Sequence, residues 1–87
     1  MIDELVKLRA QVDETDQQMM QLVKKRVALM RKIGEIKKGN GKSITDNERE
    51  SEIMKTINAL AEQYNVPHSL VQKIWKAFFY IAKQIEK

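Results

Sequence analysis

The chain has 87 residues, a length that supports a small core, and we expect a single domain over residues 1–87. Hydrophobic residues make up 43% of the sequence, which argues against disorder, and the absence of cysteine excludes disulfides and thiolate metal sites. The net charge of +4 and the isoelectric point near 9.4 favour an anionic partner, such as nucleic acid, an acidic lipid surface or a small carboxylate.

Residues 2–38 are predicted to form one long amphipathic helix. Its apolar residues recur at helical spacing: Leu5, Leu8, Val12, Met19, Val23, Met30 and Ile33. At 1.5 Å per residue this helix is about 55 Å long. A compact globule of this size has a radius of gyration of about 12 Å and a diameter of about 30 Å. We therefore expect the helix either to bend or to pack half of its apolar face against a second copy of the chain.

Two shorter helices are predicted after the first. The first helix is predicted to end at Gly39-Asn40-Gly41, and the second to begin at Thr45 or Asp46. Thr45 and Glu48 have the spacing of a capping box. The second helix ends near Asn65.

The third helix is predicted to carry Pro67 in its first turn, where a missing N–H costs nothing, and to continue nearly to Lys87. No segment alternates polar and apolar residues with period two, so no strand is expected. The predicted fold class is all-α, with one long helix and two shorter ones.

Two cations interrupt the apolar stripe of the first helix. Arg26 and Lys37 are eleven residues apart, which is about three helical turns, and Met30 and Ile33 lie between them on the same face. Burying an unpaired charge is costly. Such residues extend their charged ends to water, find a carboxylate partner or bind an anionic ligand, and the spacing leaves all three open.

Charged residues on the other helices also have two interpretations. Asp46, Arg49 and Glu50 share a face at the start of the second helix, where they either cap it and pair locally or help to bind an anion. Glu86 follows the aromatic face of the third helix, where it is either part of a site or solvated at a frayed end.

These features form an ordered set of motifs along the chain. They are Leu8-Arg9, Val12-Asp13-x-x-Asp16, Leu22-Val23-x-x-Arg26, Ile33-Gly34-x-x-Lys37, Asp46-x-x-Arg49-Glu50, and Ile74-Trp75 with Glu86. The set resembles the all-helical class of chorismate mutase over almost the whole chain. The single motifs are weak, but their order is specific.

The resemblance implies an intertwined homodimer of three-helix chains, in which each active site takes an arginine from the partner's first helix. The length of helix 1 agrees with that arrangement. If two copies cross antiparallel near residue 20, residue 9 of one lies opposite residue 31 of the other. Arg9 of the partner would then arrive between Arg26 and Lys37.

The resemblance also implies the reaction, which is the pericyclic rearrangement of chorismate to prephenate in phenylalanine and tyrosine biosynthesis. It needs no metal or other cofactor. The implied catalytic residues are the partner's Arg9 together with Arg26, Lys37 and Glu86. The implied substrate-binding residues are Arg9, Arg26, Lys37, Asp46, Arg49, Glu50, Ala82 and Glu86.

Two positions depart from the commonest pattern of the family. Glu86 stands where many relatives have glutamine as a donor to the ether oxygen of the substrate, and a carboxylate donates only when it is protonated. Ala82 stands where some relatives have serine, so one polar contact to a substrate carboxylate is absent. Both changes affect the expected rate and pH profile, but neither removes the cations.

Two other functions compete with this interpretation. The same resemblance extends to isochorismate-pyruvate lyase, which is similar in fold and cationic site. We expect the loop at residues 39–45 to distinguish a lyase from a mutase. A basic helical module for nucleic acid or a partner helix would spread its cations over an exposed face with aromatic residues among them, which this sequence does not do. We therefore expect no nucleic-acid or membrane partner. The chain also lacks a signal peptide and a long apolar run, so a cytoplasmic location is expected.

Overall fold

The computed structural model describes residues 2–39 and 47–86, with the side chain of Glu86 left out. It contains three α-helices: α1 (Ile2–Gly39), α2 (Asn47–Tyr64) and α3 (His68–Glu86). The all-α prediction is confirmed, and these residues contain no strand. The predicted capping box begins at Thr45, which lies outside the described residues, as does most of the loop that we expected to discriminate mutase from lyase.

Helix α1 is one unbroken helix of 38 residues. The longest dimension of the molecule is 58 Å, which matches the length of a straight helix of that size, about 57 Å. The radius of gyration is 16.6 Å, against about 12 Å for a compact chain of 87 residues. Of the two alternatives for helix 1, the first, that it bends, is therefore wrong.

Only the C-terminal half of α1 packs against the rest of the chain. Every residue from 2 to 22 is exposed, whereas Met30 and Gly34 are buried. The apolar stripe predicted from the sequence thus has two parts. Leu8 and Val12 are 54% and 58% exposed, while Met30 is 7% exposed.

Helices α2 and α3 form a hairpin closed by a three-residue turn. Asn65 has a positive φ of 57°, and the N–H groups of Asn65 and Val66 donate to the carbonyls of Glu62 and Ala61. This is the Schellman arrangement, in which a left-handed residue ends a helix and satisfies its last carbonyls. The carbonyl of Pro67 then accepts from the N–H groups of Leu70 and Val71 in the first turn of α3.

Helix α3 is the central element, because it packs against both α1 and α2. Its strong amphipathic pattern explains this role: Val71 is buried, and the side chains of Trp75, Phe78 and Phe79 are partly buried. A hydrogen bond from Nε2 of Gln72 to Oδ1 of Asn58, at 3.2 Å, joins α3 to α2. Among the described helices, none is long and apolar enough to span a membrane.

Candidate active site

A cavity of about 290 Å³ lies where the three helices meet. Its size is near the lower end of small-molecule sites. Its lining combines an apolar floor with charged side chains. The lining residues are Arg26, Leu29, Met30, Ile33, Lys37, Arg49, Glu50, Ile53, Phe78, Phe79, Ala82 and Lys83.

Helix α1 contributes one face of the cavity. Arg26, Met30, Ile33 and Lys37 line it together, as their spacing on one helical face requires. Met30 is buried, and the two cations at either end are partly buried. The stripe interrupted by cations is therefore the wall of a pocket.

Arg26 is a partly buried cation of the cavity lining. Burial, and to a smaller extent the positive charge of Arg49, lower the pKa of Arg26 below its usual value. Its guanidinium carbon lies 4.4 Å from the centroid of the Phe78 ring. Over the described part of the chain, no carboxylate comes within ion-pair distance of Arg26.

Helix α2 contributes its first turns. Glu50 is mostly buried, and its Oε2 lies 3.7 Å from Nζ of Lys83 on α3. Arg49 pairs with Glu52 one turn further along α2. Arg49 and Glu50 both line the cavity. Arg49 contributes a positive charge, and the carboxylate of Glu50 can accept hydrogen bonds.

The structure brings five of the residues predicted for the site around one cavity: Arg26, Lys37, Arg49, Glu50 and Ala82. It does not bring Arg9 there. Arg9 lies in the exposed half of α1, about 26 Å along the helix from Arg26. Asp46 and the side chain of Glu86 lie outside the description, although α3 extends to residue 86.

Sequence reasoning missed Lys83 and the role of Phe78. Lys83 lines the cavity beside Glu50, and its position four residues after Phe79 was the available signal, because that spacing places it on the aromatic face. Phe78 was not among the predicted site residues. Its stacking on Arg26 depends on how α1 and α3 meet, which no pattern within one helix shows.

The charges of the cavity define what it can bind. Four cations line it, from Arg26, Lys37, Arg49 and Lys83, against the single carboxylate of Glu50 among the lining residues described. Such an excess attracts a small molecule with more than one negative charge. No group of acidic or histidine side chains suited to a metal ion occurs in residues 2–39 and 47–86. Fold and cavity together define an all-helical protein with a cationic pocket of small-molecule size.

Comparisons with known proteins identify the family. The family model for chorismate mutase type II matches residues 8–87. A chorismate mutase from Methanocaldococcus jannaschii is 32% identical over 87 residues, which is all of this chain and 88% of that protein. The T-protein of Enterobacter agglomerans is 34% identical over 74 residues, which is 85% of this chain but 20% of that protein. No solved structure is a significant match.

The chain belongs to the chorismate mutase type II family. The resemblance found in its motifs is therefore confirmed by an independent comparison over almost the whole sequence. The reaction for which the family is named is an isomerisation, so the chain is classed as an isomerase.

Proposed function

We propose that the cavity binds chorismate and catalyses its rearrangement to prephenate, a step on the route to phenylalanine and tyrosine. The observation that carries this proposal is the set of four cations around an apolar pocket, in a chain of the chorismate mutase family. A dicarboxylate with a largely apolar ring fits both the cations and the apolar side chains of that lining. Guanidinium groups suit carboxylates because they donate two parallel hydrogen bonds.

The reaction proposed for this pocket breaks one bond and forms another within a single molecule. The protein's task is then to hold the substrate in its compact reactive conformer and to stabilise the charge that builds on the breaking ether oxygen. In our proposal Arg26 binds a carboxylate, and Nζ of Lys37 donates to a carboxylate and to the ether oxygen. Glu50 accepts from the ring hydroxyl, and Arg49 organises that corner. These contacts raise the rate only where they strengthen in the transition state.

A product assay tests this function directly. Purified protein is incubated with chorismate, and separately with isochorismate, and the products are separated and identified. We expect prephenate from chorismate, at a rate lost in the Arg26→Ala variant. Pyruvate released from isochorismate, with no prephenate from chorismate, would show a lyase and contradict the proposal.

We also propose that the protein is a homodimer built on the exposed half of α1. The chain exposes 7414 Å², whereas a compact monomer of its mass exposes about 5,300 Å². A surplus of about 2,000 Å² per chain is in the range that obligate dimers bury. Exposed apolar side chains on α1, such as Leu8 and Val12, supply the surface.

Light scattering is expected to give a mass of two chains for the active enzyme. The reason is the free energy available: burying each large apolar side chain of this stripe is worth about 1.5–3 kcal/mol. A double variant, Leu8→Glu with Val12→Glu, places negative charge on this apolar face. It is expected to shift the measured mass towards that of one chain. A fully active species of one chain's mass would contradict the dimer.

Glu86 is proposed to act as a protonated donor to the ether oxygen. This rests on its place in the family motif and on the charge of the substrate, because a bound dianion favours the neutral form of a nearby carboxyl group. We expect kcat to fall as the pH rises through the pKa of Glu86 in the bound state. Glu86→Gln keeps a donor at every pH and is expected to remove that fall. A wild-type profile that is flat from about pH 4.5 to 9 would contradict this role.

A further inference from the structure

The guanidinium of Arg26 is held in the cavity by contact with an aromatic ring. It is partly buried, and no carboxylate among residues 2–39 and 47–85 lies at ion-pair distance from it. The nearby charge that affects it is another cation, Arg49. Partial burial and a neighbouring positive charge both disfavour the charged form of Arg26. The compensating contact is the face of the Phe78 ring, whose centroid lies 4.4 Å from the guanidinium carbon.

This contact leaves the hydrogen-bonding groups of Arg26 available. A guanidinium is planar, and its five N–H donors point outward in that plane. A ring beneath the plane attracts the positive charge through its quadrupole and uses none of the donors. A carboxylate partner would instead occupy two donors and neutralise the charge. The ring therefore restrains Arg26 without competing with an anionic ligand.

The Phe78 ring is itself restrained. Trp75 lies one turn earlier on α3, and the two ring centroids are 5.7 Å apart with their planes at 75°. This is the edge-to-face arrangement that aromatic pairs favour. Packing by Trp75 limits rotation of Phe78, so one face of the ring stays directed to Arg26. A chain of contacts thus runs from Trp75 through Phe78 on α3 to Arg26 on α1.

We propose that Phe78 is a positioning residue, which holds the guanidinium of Arg26 by a cation–π contact so that its donors are aligned for a substrate carboxylate before the substrate arrives. The inference rests on the proposed function, because it assigns Arg26 to the substrate. Preorganised donors act without reorganisation during the reaction. Loss of the contact then lowers kcat/KM while the donors themselves remain.

Stepwise fluorination of Phe78 separates this role from packing. Phenylalanine with one, two or three ring fluorines is inserted at position 78, which weakens the negative ring face while changing the shape little. We expect kcat/KM to fall progressively, reaching about a tenfold loss with three fluorines, as for a partly desolvated cation–π pair. The unfolding midpoint is expected to stay nearly constant across the series.

Tyr80 provides the control, because it lies on α3, is 61% exposed and is not part of the cavity lining. The same fluorinated phenylalanines inserted at position 80 are expected to show no graded fall in kcat/KM. Two ordinary variants complete the test: Phe78→Tyr keeps the ring face and is expected to retain activity within about twofold, and Phe78→Leu is expected to lose about tenfold.

The outcomes distinguish this inference from the function on which it rests. An active enzyme whose kcat/KM is independent of fluorination at Phe78, or in which Phe78→Leu equals Phe78→Tyr, would overturn the positioning role alone. A wild-type protein that makes no prephenate would overturn the proposed function and this role with it. A graded loss at Phe78 and none at Tyr80 supports the role.

Discussion

Lys37→Ala is expected to lower kcat by about 100-fold or more, the usual cost of removing one donor to a developing oxyanion. In the proposed site Nζ of Lys37 stabilises charge that appears on the ether oxygen only as the bond breaks. The lost contact is therefore stronger in the transition state than in the ground state, and KM is expected to change much less than kcat. Steady-state kinetics on chorismate give both parameters.

Lys38→Ala is the matched control for that measurement. Lys38 is the next residue of α1, is exposed, and is not part of the cavity lining. Its removal is expected to leave kcat within about twofold, and both variants are expected to unfold within about 1 kcal/mol of the wild type. A Lys37→Ala enzyme with a near-normal kcat and a raised KM would contradict the role in the transition state.

Arg9→Ala and Arg26→Ala are each expected to be nearly inactive alone and to regain activity when they are mixed, unfolded and refolded. Arg9 is about 26 Å along α1 from Arg26, so a site that uses both draws them from two chains. A mixed dimer then contains one site with both arginines and one site with neither. Random pairing gives about a quarter of the wild-type activity.

Two controls accompany the mixing experiment. Each variant refolded alone shows whether refolding itself restores activity, and Lys7→Ala tests a neighbouring exposed cation on α1. We expect Lys7→Ala to remain active by itself. Failure of the mixture to recover activity, with dimers formed, would mean that Arg9 does not complete the partner's site.

The sequence predicted the helices well because their patterns are local. Spacing of apolar residues within α1 and α3, together with the glycines after Lys38 and the turn before Pro67, depends on neighbours along the chain. The cations at Arg26 and Lys37 were visible for the same reason, since both interrupt a stripe on one helix. The left-handed conformation of Asn65, by contrast, was not predicted.

These local patterns do not predict which residues of different helices meet. The pairing of Glu50 with Lys83 and the stacking of Phe78 on Arg26 join residues of different helices. Their formation depends on the rotation of each helix about its axis and on the rotamers of long side chains. Periodicity sets the face of a helix but not the residue that it meets on another helix, so the pairing of Lys83 with Glu50 was not predicted.

The central place of α3 has a consequence for the order of folding. Its contacts with α2 join residues close in sequence, such as Gln72 and Asn58, and need only the short turn at residues 65–67 to close. Its contacts with α1 are of much longer range, since Arg26 meets Phe78. Closing a longer loop has a greater entropic cost, and local contacts form faster. We therefore expect the α2–α3 hairpin to form first and to provide the surface on which α1 docks, so that the cavity is completed in the last step.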